Sequence, residues 1–159
     1  MTFLNEYLTQ QLAFRRSHPG LTSLRDRKDA GFNFDCFEDF VLDQGIAPKS
    51  APLTEDEKQI LFQAIDWCSI GRFVQKQCFY NAQLLTLSDR SGQLIYTEGY
   101  GNHIIPTLHG WVTLNDKVID LTWRTDKRNH KGRLGNRIFG EIPEGWDYLG
   151  VPFPDRDAL

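Results

Sequence analysis

Cysteine is scarce in this chain of 159 residues: only Cys36, Cys68 and Cys78 are present, and none forms a C-x-x-C pair. An odd count at such spacings argues against a disulfide framework and points to a reducing, cytoplasmic setting. Long apolar runs are missing too, so no membrane partner is expected. The first residues, Met1-Thr2-Phe3-Leu4-Asn5-Glu6, turn polar and charged too early for a signal peptide. Nor is there a large excess of charge. The formal net charge of −3 is too mild to call for nucleic acid. Methionine occurs once, and internal repeats and low-complexity tracts are absent.

Aromatic side chains are plentiful. Eleven Phe, four Trp and five Tyr imply a core built from rigid rings, with a cleft of the same make-up as a further expectation. Charged residues at 25% and hydrophobic residues at 40% sit near the soluble globular average, and the length suits one domain over residues 1–159. Charge is unevenly spread, with six Lys or Arg against Asp126 alone between Arg124 and Arg137. That stretch is expected to be a solvated surface loop, with capture of an acidic partner as the alternative.

Periodicity divides the chain into helices first and strands afterwards. Thr2 is placed to cap a helix in which Leu4, Leu8 and Leu12 recur, ending at His18-Pro19-Gly20. A short helix is expected near Asp35 to Leu42. Thr54-Glu55-Asp56-Glu57 reads as a capping box before the stripe Ile60, Leu61, Ala64, Ile65, Trp67 and Cys68, with Gly71 as the stop. A further helix begins close to Cys78 and breaks at Asp89-Arg90-Ser91-Gly92. The period then changes to two over Leu94 to Tyr100, Leu108 to Leu114 and Lys117 to Trp123, so the class is α+β with an antiparallel sheet.

If Asn115-Asp116 is a two-residue hairpin turn, Leu114 pairs with Lys117. Counting outward sets Trp111 opposite Asp120 and His109 opposite Thr122, which makes His109 and Asp120 diagonal neighbours on one face. Cys78, at a helix start, feels the positive end of the helix dipole and unpaired N–H groups, and both favour a thiolate. Gln75 and Gln77 are candidate oxyanion donors, and Asn81 follows Cys78 by one helical turn on the same side. Glu98 is a candidate second carboxylate of the cleft and Trp111 a candidate wall. Zinc accepts the ligand types of Cys78, His109 and Asp120, but their spacing matches no zinc motif, so neither metal nor cofactor is expected.

Gln77-Cys78-Phe79-Tyr80-Asn81-Ala82, Tyr96-Thr97-Glu98-Gly99-Tyr100, His109-Gly110-Trp111 and Val118-Ile119-Asp120-Leu121-Thr122-Trp123 together form a recurring pattern. It resembles that of uncharacterised bacterial and phage proteins, which in turn resemble the papain-like and transglutaminase-like superfamily. The likeness runs from Gln75 to Trp123 and extends to the tail Tyr148-Leu149-Gly150-Val151-Pro152-Phe153-Pro154. Gly110 is a mild departure, since many of those proteins have Ala there. The resemblance implies a nucleophile helix packed on a small antiparallel sheet. It also implies a cysteine hydrolase or acyltransferase acting on a protein, peptide or other amide through Cys78, His109 and Asp120.

Each residue also has a plainer reading. A cysteine at a helix start is more often a small buried hydrophobe than a nucleophile. Cys36, among Phe residues, and Cys68, on an apolar stripe, read as structural. Trp111 and Trp123 read as core or cleft wall, and His103 and His130 as solvated loop residues. The functional alternative is a degenerate papain-like fold that acts as a binding or accessory protein. Nucleic-acid binding through the basic loop lacks any stacking motif nearby.

Overall fold

The structure is a computed structural model that describes residues 2–20, 34–68, 73–125 and 135–159. The centre of the basic stretch, with His130, and the helix stop at Gly71 lie outside the described residues. The class is α+β. Four helices come first: α1 (Phe3–Ser17), α2 (Phe37–Gln44), α3 (Glu55–Trp67) and α4 (Cys78–Ser88). Five strands follow: β1 (Ile95–Asn102), β2 (Pro106–Leu114), β3 (Lys117–Arg124), β4 (Arg137–Phe139) and β5 (Asp147–Phe153). No described helix is long and apolar enough to cross a membrane.

Local chemistry explains where the helices begin. Thr2 Oγ1 accepts from the Asn5 backbone N–H at 3.3 Å, and Leu4, Leu8 and Leu12 then turn one buried stripe of α1 inward. At α3 both halves of the capping box form, with Glu57 N–H donating to Thr54 Oγ1 at 3.2 Å and Thr54 N–H donating to Glu57 Oε2 at 2.8 Å. Cys36 precedes α2 as a buried residue, and Cys68 ends α3 with its thiol donating weakly to the Leu84 carbonyl.

The sheet is antiparallel in the order β4-β3-β2-β1-β5. Asn115 and Asp116 both have positive φ, 49° and 64°, as a type I′ hairpin turn requires. The ladder that follows pairs Leu114 with Lys117, Thr113 with Val118 and Val112 with Ile119. Alternation then sorts the side chains. Val112, Leu114 and Ile119 pack with α3 and α4, and Tyr100, Leu149 and Val151 pack with α1 and α2. Trp111, Val118, Ile138 and Tyr148 form a separate aromatic cluster on the other face.

Two strands carry no period-two signal. β4 is three residues long, too short for alternation to register. β5 contains Gly150 and Pro152, residues depleted from strands, and it stands at the sheet edge where proline is tolerated. The ends of the basic stretch are therefore sheet rather than loop, since Arg124 closes β3 and Arg137 opens β4 directly across from it.

Glu57 ties α3 to the hairpin. Its carboxylate accepts from Asn115 Nδ2 at 3.0 Å and from Lys117 Nζ at 2.7 Å. Burial pushes this carboxyl up, yet the hydrogen bonds from Lys117, Asn115 and Thr54 and the charge of Lys117 outweigh it and hold its pKa at about 2. Asn115→Val should put a β-branched residue at positive φ and remove one of these donors, costing about 1–3 kcal/mol. Urea unfolding with an unchanged slope checks this, and a loss below about 0.5 kcal/mol would mean that the turn is not what holds β2 and β3 in register.

Candidate active site

α4 begins without a side-chain cap. Gln77 occupies the cap position with no side-chain hydrogen bond, after Lys76 in the left-handed region at φ 66°. The free N–H groups of a helix start and its dipole favour negative charge there, and Cys78 is the first helical residue. Cys78 is half-buried and lines the same cleft as His109, and the backbone N–H groups of Gly110 and Phe79 favour its thiolate. Gly110 is what permits the close approach of the helix start to β2. A Cβ there would fall 2.8 Å from Phe79 Cδ1 and 3.2 Å from Phe79 Cα, so alanine would require the Phe79 ring to shift and the start of α4 to give by a few tenths of an ångström, a tighter exchange than expected from the sequence.

The ladder between β2 and β3 covers three pairs. Beyond them β2 continues on β1 and β3 on β4. His109 and Asp120 stand on this stretch, and both are almost completely buried. His109 Nε2 and Asp120 Oδ2 are 2.7 Å apart. With Nε2 occupied, Nδ1 is the ring nitrogen left to serve Cys78.

Asp120 is saturated with donors. Tyr148 OH donates to Oδ2 at 3.0 Å, and the backbone N–H groups of Thr122 and Trp123 donate to Oδ1 at 2.8 and 3.1 Å. Trp123 lies flat on the imidazole, with ring centroids 3.9 Å apart and planes at 15°. It shields the His109–Asp120 bond from water on that side.

The electrostatics favour a thiolate beside an imidazolium. At Cys78 burial raises the thiol, but the hydrogen bond and charge of His109 and the two backbone N–H groups bring it below its ordinary 9.0. At His109 burial pulls the pKa down, but the Asp120 charge and hydrogen bond, with Cys78 adding to them, lift it from 6.5 to about 9. At Asp120 burial opposes ionisation, and the His109 charge and the donors to its carboxylate keep it below its ordinary value.

A cleft of about 520 Å³ opens over the sulfur, lined by Gln75, Phe79, Leu108, Trp123 and neighbouring residues. Of the two candidate oxyanion donors, Gln75 lines it, whereas Gln77 is the helix cap and does not. Asn81 is not a cleft residue. It is buried, with its amide closed on the Val74 backbone at 2.9 and 2.8 Å and on Thr122 Oγ1 at 2.8 Å. It ties the loop before α4 and β3 to the helix. Thr122 is therefore a hydrogen-bond partner as well as a wall.

Glu98 accepts from Tyr96 OH at 2.9 Å and lines no part of the cleft. Trp111 is core: it packs against Tyr148 and borders a different cavity of about 340 Å³. Tyr148 escapes a reading by spacing, since 28 residues separate it from Asp120 and it stands on a strand without a periodic signal. Among the described residues, no group of three or more His, Cys, Asp or Glu is placed to hold a metal ion.

The shifts at Cys78 and His109 have opposite consequences for stability. Alone, the raised His109 contributes stabilisation that is complete below pH 6.5 and lost as pH rises through about 9. Alone, the lowered Cys78 contributes stabilisation that is complete above 9.0 and lost as pH falls towards its folded value. In the folded pair the two slopes oppose each other, so the wild-type profile is flatter than the His109 shift alone would make it. Cys78→Ser removes the compensation. Its stability should fall relative to wild type as pH rises from about 6.5 to about 9, and parallel profiles from denaturant unfolding would show that no ion pair forms.

No protein-family model matches the chain, and no curated protein or solved structure matches it either.

Proposed function

We propose that this chain is a cysteine-dependent hydrolase or acyltransferase acting on an amide bond, built on a papain-like or transglutaminase-like fold. Cys78 is the nucleophile, His109 the general acid and base, and Asp120 the positioning residue that holds the ring. The observation that carries the reading is the buried imidazole, bonded to Asp120 at Nε2 and adjoining the Cys78 sulfur at an uncapped helix start. The order of the parts, a Cys opening a helix and then a His and an Asp on adjacent strands, supports the fold assignment. Three free cysteines fit a reducing compartment such as the cytoplasm.

The Cys78 thiolate attacks the carbonyl carbon, a C–S bond forms and the carbonyl electron pair moves onto oxygen. When the tetrahedral adduct collapses, the C–N bond breaks and the amine leaves with the proton carried by His109. Neutral His109 then removes a proton from water, or from an acceptor amine, which attacks the thioester and frees Cys78. Gln75 is the side chain lining the cleft whose amide can donate to the transient oxyanion. Peptidase, amidase and deamidase activities share these steps.

A p-nitrophenyl acetate assay tests the reading without knowledge of the natural substrate. A burst of nitrophenolate equal to the protein present, with the acetyl group on Cys78 and not on Cys36 or Cys68, is the expected result. Gln75→Ala should slow acylation by on the order of 10²-fold, because it removes a donor to the oxyanion. It should not slow displacement of iodide from iodoacetamide comparably, since that step makes no oxyanion. Absence of a burst, or acetylation spread over all three cysteines, would favour a degenerate site that serves binding.

A further inference from the structure

The acyl-transfer steps leave the positive charge around the cleft without a task. Lys76, just ahead of the nucleophile, and Arg124, at the end of β3, both line the cleft, and no Asp or Glu does among the described residues. Arg137 faces Arg124 across the β3–β4 ladder. Like charges opposite each other in a sheet repel, and such a pair persists where something compensates it. Among the described acids the charge of Asp120 favours the Arg137 guanidinium, but burial and the charge of Arg124 outweigh it. None of the three cations makes an ion pair with a described residue, and the Asp120 carboxylate is committed to His109, Tyr148 and two backbone donors. Arg137 Nε is buried without a hydrogen-bond partner among the described residues, and its guanidinium lies over the Phe73 ring, 5.8 Å from its centre.

We propose that the substrate carries an anionic group, a carboxylate or a phosphate, close to the amide attacked by Cys78, and that Arg124 and Lys76 receive it with Arg137 behind them. This rests on the reading of Cys78 as the nucleophile. It deepens that reading by assigning the class of substrate. An anion bridging the guanidinium of Arg124 and the ammonium of Lys76 offsets the Arg124–Arg137 repulsion, and a carboxylate or phosphate matches the planar donor fork of arginine. A cationic cleft also raises the local concentration of anionic substrates in a salt-dependent way.

Iodoacetate and iodoacetamide alkylate the same sulfur and differ in one charge, so they separate the two readings. The quantity to measure is the ratio of their rates at Cys78, set against a neutral model thiol at low ionic strength. A ratio above that of the model thiol is expected. It should fall by about two- to threefold in Arg124→Gln and again in Lys76→Gln, and shrink with added salt. His109 is common to wild type and both variants, so its own attraction for iodoacetate cancels between them, and the fall in the variants is what reports on Arg124 and Lys76. Slow alkylation by the uncharged iodoacetamide would overturn the nucleophile reading and this inference with it. Rapid iodoacetamide alkylation with a ratio unmoved by either variant would overturn the anionic substrate alone. Protection of Cys78 from iodoacetamide by inorganic phosphate or by succinate, whichever is stronger, assigns the group as phosphate or carboxylate.

Discussion

A carboxylate sealed inside a protein must be matched donor for donor, and Asp120 is that carboxylate here. Its two oxygens accept from His109, Tyr148 and the backbone N–H groups of Thr122 and Trp123. Removing any one of these leaves a buried lone pair facing no donor, at a cost of about 1–3 kcal/mol or more for a charged group. The requirement reaches across the sheet: His109 comes from β2, Asp120 from β3 and Tyr148 from the far edge strand β5. The same bond that satisfies Asp120 fixes which nitrogen of His109 faces the sulfur. Fold and chemistry are thus coupled through one side chain.

The rest of the site consists of devices that bring α4 to that imidazole. Gly110 lets the helix start settle on β2, Asn81 fastens the preceding loop and β3 to the helix, and the Glu57 cluster fixes the hairpin to α3. None of the three touches the cleft contents. Burial alone would keep the thiol protonated and the imidazole neutral. The close pairing of the two groups, with backbone N–H groups on the sulfur and Asp120 behind the ring, overcomes that preference in both directions.

Much of this was legible where a local rule forces the outcome. Asn115-Asp116 between apolar strands calls for a two-residue turn, and a turn of that length leaves one register. The capping box and the Cys78 helix start follow from residue chemistry within a single turn. What escaped depends on distant partners. Asn81 shares a helical face with Cys78, but its amide is captured by Val74 and Thr122, which no helical spacing reveals. Trp111 follows the His by two residues and so shares its face, yet lies one step deeper against Gly150 and Tyr148. Tyr148 sits on a strand whose Gly and Pro hide it, and the Arg124–Arg137 pairing needs β4, three residues long, to exist at all.

The central claim is that His109 is an imidazolium because it stands between two negative charges. Following the titration of its ring by NMR in wild type and in Cys78→Ser tests this most directly. In wild type the ring should lose its proton near pH 9, and in Cys78→Ser, without the thiolate, it should do so at lower pH. A wild-type titration at the ordinary value near 6.5, unmoved by the serine substitution, would contradict the claim.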